Sequence, residues 1–185
     1  FLRKYPKVRL HVANDTAPHL RKALVHGDID IAILFDPYQE GDSLRVLHRS
    51  SSPVEFIAAI DSPFAHRPVQ LHELVDSTWV LTQRGTNYRK KLEEDLAERG
   101  LYLRDRVEIG TSKTIIDFVA AGLGLSILPA VAVADAVREG RIAVVHVEDY
   151  EIAMQLQILA AGERWLPHPL ALLAEDFAAG LEEEG

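Results

Sequence analysis

Three short stretches carry side chains suited to holding a small polar molecule. They are Asn14-Asp15-Thr16, Thr82-Gln83-Arg84-Gly85-Thr86 and Gly110-Thr111-Ser112. Each follows a run that reads as a strand and opens one that reads as a helix. Hydroxyls and amides at such a junction accept bonds from the first backbone N–H groups of the helix. The remaining N–H groups and the positive end of the helix dipole favour an anion. In open parallel sheets ligands gather at the carboxyl ends of strands, where these turns lie. The candidate ligand-holding residues are therefore Thr82, Gln83, Thr86, Thr111 and Ser112, with Asn14, Thr16 and Asp36 as weaker ones. Arg84 offers a guanidinium that can meet a carboxylate through two bonds or stand in solvent. The plain alternative for each turn is that it only caps its helix.

Groups that break bonds are hard to find. Eight histidines are scattered, and none forms His-x-His or His-Glu-x-x-His. His19 and His26 could share a helix face, but a solvated face explains them as well. Gly122-x-Gly124 has no third glycine and follows a helix, so it is no dinucleotide fingerprint. Ser126 sits in Gly-Leu-Ser-Ile-Leu, which lacks the second glycine of a nucleophile elbow, and reads as a buried strand serine. The chain has no cysteine, which excludes disulfides and thiolate metal sites. No catalytic residue, metal or cofactor is assigned.

Composition bounds the partners. A chain of 185 residues can form one large domain or two small lobes. Its 48% hydrophobic content suits a folded protein. A net charge of -8 makes it a poor DNA ligand by itself, because the phosphate backbone rewards Lys and Arg. No apolar run approaches the roughly 20 residues that span a bilayer. Phe1-Leu2-Arg3-Lys4-Tyr5-Pro6 lacks the apolar core and cleavage site of an export signal, so Asn14-Asp15-Thr16 reads as a cap and not a glycosylation site. The chain has no initiating methionine and opens inside a helix, so it reads as a fragment.

The turns need a scaffold. Residues 8–12 alternate apolar and polar, as in a half-buried strand. A helix follows, with Pro18 in its first turn, an inner stripe of Leu20, Ala23 and Leu24, and Gly27 at its end. The nearly continuous apolar run 29–35 predicts a parallel strand buried on both faces. Strands are expected at 44–49 and 54–60, a short helix at 71–75, a strand at 79–81 and a charged helix at 88–99. Beyond a strand at 107–109, Thr111 or Ser112 caps a helix that Gly122 ends. Pro129 stops the strand 125–128. A helix at 130–139, strands at 141–147 and 154–160, and a helix at 169–181 complete the chain. Strands alternating with helices call for parallel sheets.

The stretch from Thr111 to Pro129 combines a capped Thr/Ser turn, an apolar helix ending Val-Ala-Ala-Gly-Leu-Gly and a strand ending Leu-Pro. It resembles the effector-binding domain of LysR-type transcriptional regulators. Phe1 to Pro6 resembles that family's Phe-x-x-x-Tyr-Pro helix end. Gly27-Asp28-Ile29-Asp30-Ile31-Ala32-Ile33 resembles its Gly-x-Leu-Asp-Leu-Ala-Ile strand. Asp61-Ser62-Pro63-Phe64-Ala65 resembles its His-Pro-Leu-Ala turn, with Ser62 where His is usual. The pieces fall in the family's order and cover nearly the whole chain.

The resemblance implies an α/β, two-lobe, periplasmic-binding-protein-like (type II) fold, each lobe a mainly parallel sheet flanked by helices. The first lobe would be residues 1–59 plus 161–185, lacking its first strand and so leaving backbone groups unpaired. The second would be 60–160. A small polar or anionic effector would lie in the inter-lobe cleft, held by the eight residues named above. The whole protein would be a cytoplasmic bacterial regulator and not an enzyme, with no membrane attachment. It would bind DNA only through an upstream helix-turn-helix domain absent from this chain. It would form a homodimer, and a homotetramer when full-length. One dimer surface would carry Val8, Leu10 and Val12; the other would carry Ile115, Ile116 and Val119, on a helix more apolar than one sheet needs to cover. The alternative is that this helix is buried in its own lobe. A periplasmic-type solute-binding protein, or an enzyme on the same scaffold, are the competing functions.

Overall fold

The computed structural model describes residues 1–36, 43–162 and 165–183. It divides into two compact units, Phe1–Ser51 with Gln155–Gly185, and Ser52–Met154.

In unit 1 the first helix, α1 (Ala17–His26), starts where Thr16 is extended and Asp15 accepts the Thr16 N–H at 2.7 Å. Gly27, at φ 80°, closes it by donating back to Ala23 and Leu24. Leu24 is fully buried against Ala32, Leu34 and Leu159. Strand β1 (Ile31–Asp36) supplies the first two of those partners. Strand β2 (Leu44–Ala59) then passes from unit 1 into unit 2 without a break. Two strands, 44–49 and 54–60, are expected here. Pro53 removes a single donor, and the strand runs through it.

Unit 2 continues with α2 (Leu71–Leu74), β3 (Thr78–Leu81), α3 (Asn87–Glu98) and β4 (Asp105–Glu108). Then come α4 (Ser112–Ala120), β5 (Ser126–Pro129), α5 (Ala130–Arg138) and β6 (Ile142–Val145). Strand β7 (Ile152–Ala161) returns to unit 1, where α6 (His168–Glu183) ends the described chain. Among the described residues no helix is long and apolar enough to cross a membrane.

The pairing corrects two expectations. β1 runs antiparallel to β7, with Ile31 opposite Ala160 and Asp36 opposite Gln155. Its burial alternates and Ile33 is 41% exposed, so it is not a strand buried on both faces. An apolar run shows that a strand is inside; its direction is set by a partner far away in sequence. The parallel register expected in both lobes lies in unit 2, where β3 runs parallel to β4 and Leu125 bridges Trp79 in parallel. The end of β2 pairs antiparallel with β5 and β6.

Residues 8–12 form no strand. The Val8 N–H turns back to the Tyr5 carbonyl at 3.1 Å, Leu10 is exposed, and Val12 is 84% exposed. Alternation supplies a face, but a strand also needs a neighbour for its N–H and C=O groups, and no described strand pairs with this one.

The core of unit 2 gathers Ile57, Trp79, Leu92, Leu96, Ile115, Ile127 and Leu128, all essentially without solvent contact. Trp79 donates its indole N–H to the Leu74 carbonyl at 3.0 Å and meets Phe56 edge-on. Ile115 and Val119 are fully buried in this unit and Ile116 nearly so. They therefore cannot present the partner-facing surface assigned to them. At 100° per residue the face toward the sheet takes all three, and Phe118 and Leu123 are the exposed apolar residues of that segment.

Candidate functional site

Parallel pairing of β3 with β4 puts two of the three turns side by side. Leu81 lies opposite Glu108, and the Ile109 N–H continues the ladder to the Leu81 carbonyl at 2.9 Å. The 82–86 and 110–112 turns thus leave adjacent strands at the same, carboxyl, end. Gly110 lies against the first turn: a Cβ there would stand 3.5 Å from Gln83 Nε2, an ordinary packing contact. Thr111 caps α4, its hydroxyl accepting the Thr114 N–H at 3.3 Å and lying 2.8 Å from the Thr114 hydroxyl. The amides of Ser112 and Lys113 have no carbonyl inside the helix to bond.

The 82–86 turn is built around hydroxyls. Thr82, 7% exposed, lies 2.7 Å from the Thr86 hydroxyl, and Thr86 reaches the Gln83 carbonyl at 3.4 Å. Tyr88 joins them. Burial pushes its phenol above the ordinary range, and bonds with Thr82 and Thr86 oppose that. Gly85, at φ 106°, turns the chain as few other residues could.

Beneath both turns lies Arg89, 1% exposed. It donates to the Thr82 carbonyl, to Glu108 Oε1 at 2.9 Å and to Glu93 Oε1 at 3.1 Å. The Arg89 bond holds the Glu108 carboxyl below the ordinary carboxylate range, helped by the charge of Arg84. Arg84 is largely exposed, 3.5 Å from Glu108. Glu108 is thus already matched by Arg89, and Arg84 stands as an accessible cation beside two helix starts.

Unit 1 holds the other candidates. Asn14 and Thr16 are exposed at the start of α1; Thr16 makes no side-chain cap, and the neighbouring Asp15 carboxylate accepts the Thr16 N–H and meets His19 Nδ1 at 2.9 Å. Asp36 is 3% exposed and receives both Arg21 Nη2, at 3.0 and 3.2 Å, and Gln157 Nε2 at 2.7 Å. Its carboxylate is committed inside unit 1. Among the described residues no group of three or more His, Asp or Glu could hold a metal ion.

Sequence reasoning passed over Tyr88, Arg89 and Glu108. Residues 88–99 read only as a charged helix, which gives Arg89 no role. The overlooked signal is spacing. Residues 89, 92 and 96 share one helical face, and Leu92 and Leu96 mark that face as buried.

Strands β2 and β7 each run from one unit into the other, and the polar 82–86 and 110–112 turns lie at the carboxyl end of the parallel β3–β4 pair. The LysR substrate binding domain model matches residues 1–182, and the chain belongs to that family. It is 30% identical to YwqM of Bacillus subtilis (strain 168), an uncharacterised HTH-type transcriptional regulator, over 92% of this chain and 58% of that protein. The chain therefore spans little more than half the length of that relative. Among solved structures it resembles the regulatory domain of Synechocystis PCC6803 CcmR in complex with 2-PG, with TM-score 0.79, 18% identity and coverage of 97% and 86%. It also resembles the effector-binding domain of QuiR in complex with shikimate, with TM-score 0.68, 14% identity and coverage of 92% and 79%.

Proposed function

We propose that this chain is the sensing domain of a LysR-type transcriptional regulator, and that a small polar or anionic metabolite binds at the 82–86 and 110–112 turns. The observation that carries this is the placement of Thr82, Gln83, Thr86, Thr111 and Ser112 at the carboxyl end of one parallel strand pair, with Arg84 exposed beside them. Hydroxyls, an amide and unbonded helix N–H groups suit carboxylate or phosphate oxygens. The CcmR and QuiR domains were solved with the small molecules 2-PG and shikimate, which supports a ligand of that size. The test is calorimetric titration with small carboxylates and phosphate esters, beginning with 2-PG and shikimate. Binding that Gln83→Ala and Thr111→Ala both weaken supports the assignment; unchanged affinity in both variants moves the site elsewhere.

The same reading makes the protein a cytoplasmic self-associating regulator whose DNA contacts lie in a separate helix-turn-helix domain. The exposed Val107, Phe118 and Leu123 of unit 2, and Leu10 and Val12 of unit 1, are apolar residues available for pairing with a second copy. A protein that sediments as a monomer at tens of micromolar would contradict the pairing.

A further inference from the structure

We propose that Arg89 is the positioning residue of the candidate site: one buried guanidinium that fixes the spacing and aim of the 82–86 and 110–112 turns. This rests on the placement of the ligand at those turns, but the structural part stands on contacts within unit 2 alone.

Three neighbouring segments converge on the side chain. Nη1 takes the carbonyl of Thr82, the first residue beyond the β3–β4 pairs; Nη2 takes Glu108, the last residue of β4; Nε takes Glu93, one turn along α3. The Leu81 carbonyl faces β4 and takes the Ile109 N–H; the Thr82 carbonyl, next along the chain, takes the Arg89 guanidinium instead. Satisfying it fixes the Thr82 peptide, and with it the hydroxyl that meets Thr86. Gripping Glu108 fixes the chain two residues before Gly110, where Gln83 and the second turn meet. The planar fork of arginine matches several acceptors at fixed angles; a lysine ammonium at the end of a flexible stem cannot hold the same set. The charges are arranged for the task. Glu93 and Glu108 surround the buried cation, and Arg106 and Arg84 sit outside them on Glu93 and Glu108 respectively.

A simple staple between α3 and the sheet would affect the whole unit evenly. A positioning residue would act on the turns first. Amide hydrogen exchange separates the two without any ligand. In Arg89→Lys, the amides bonded at the two turns, Lys90 to the Thr86 carbonyl, Ile109 to the Leu81 carbonyl and Ile115 to the Thr111 carbonyl, should exchange roughly tenfold faster, while Val80, bonded to the Leu125 carbonyl, and Leu125, bonded to the Thr78 carbonyl, should stay within about twofold. Uniform acceleration across unit 2, or unchanged turns, overturns the proposal. Glu108→Ala gives a second arm at a side chain that is partly exposed, and it carries the test if Arg89→Lys does not fold. It should speed exchange at Ile109 and Ile115 and leave Lys90 as before, because the Arg89 bond to the Thr82 carbonyl remains. If Ile109 and Ile115 are unmoved, Glu108 is no anchor and the proposal fails. Neither arm needs an effector, so a failed calorimetric search would count against the binding assignment and leave this result intact.

Discussion

A Cβ placed on Gly124 would stand 2.4 Å from the carbonyl oxygen of Thr78, and Gly124 holds φ at +155°. The contact exists because the next residue, Leu125, must reach β3: its N–H bonds the Thr78 carbonyl at 2.9 Å, and its carbonyl takes the Val80 N–H at 2.8 Å. Any side chain at 124 pushes that junction apart. Gly124→Ala is expected to cost about 3 kcal/mol through steric clash and backbone strain. Chemical denaturation would check this, and a loss below 1 kcal/mol, within the spread of ordinary surface changes, would show that the turn yields easily.

Thr111 both caps α4 and faces the candidate site. Thr111→Ala should lower stability by about 1 kcal/mol. It should also weaken binding of a confirmed ligand about tenfold, equivalent to roughly 1.4 kcal/mol. Ser112→Ala leaves the cap in place and should change affinity with little change in melting. Thermal melts beside calorimetry resolve the two effects; a stability loss with unaltered affinity makes Thr111 a cap only.

The pair Arg21 and Asp36 is buried, with side chains 15% and 4% exposed. Arg21→Met strands a carboxylate in unit 1 and should cost about 3 kcal/mol. Asp36→Asn keeps an oxygen for Gln157 and should cost less. The opposite ranking in denaturant titrations would mean that the Asp36 carboxylate is needed even without Arg21, and that this ion pair is not what holds the end of β1.

Glu73 gives a pH signature. A bond from Arg67 Nη2 at 2.5 Å, then the Gln70 N–H at 2.8 Å, bring its carboxyl from the ordinary 4.5 to about 2. A carboxyl depressed in the folded state stabilises fully above its unfolded value and loses that contribution as pH falls through its folded one. The stability difference between wild type and Glu73→Gln should therefore be constant above about pH 4.5 and disappear by about pH 2. A difference that persists at the acid end would show that the carboxylate's charge is not its source.

With a net charge of -8 and its contacts to DNA assigned to another domain, this chain should give no salt-dependent retardation of duplex DNA at physiological ionic strength. A shift that weakens with added salt would overturn that assignment.

The sequence made the capped turns visible because capping is local. Thr111, Gly122 and Pro129 announce themselves within a few residues, and Gly27 does the same for α1. What stayed hidden depends on distant partners. Residues 8–12 alternate like a strand yet have no ladder. β1 is apolar like a parallel strand yet meets β7 head to tail. Arg89 reads only as part of a charged helix until the sheet covers the face it shares with Leu92 and Leu96. Ile115, Ile116 and Val119 are apolar enough for an interface, but their own core takes them first.

The crossing strands also set an order in time. Unit 2 is one continuous stretch, Ser52–Met154, whereas β1 of unit 1 pairs with β7 residues from Gln155 onward. During translation, domains fold as they emerge, and pairings between distant segments must wait for the later one. Unit 2 can therefore be complete while the first 51 residues still hang open, needing protection by a chaperone or by speed. A ribosome-stalled chain ending near 154, with linker enough to clear the exit tunnel, should show a protease-resistant unit 2 and a digestible N-terminal stretch. Resistance in the reverse order would contradict this sequence of events.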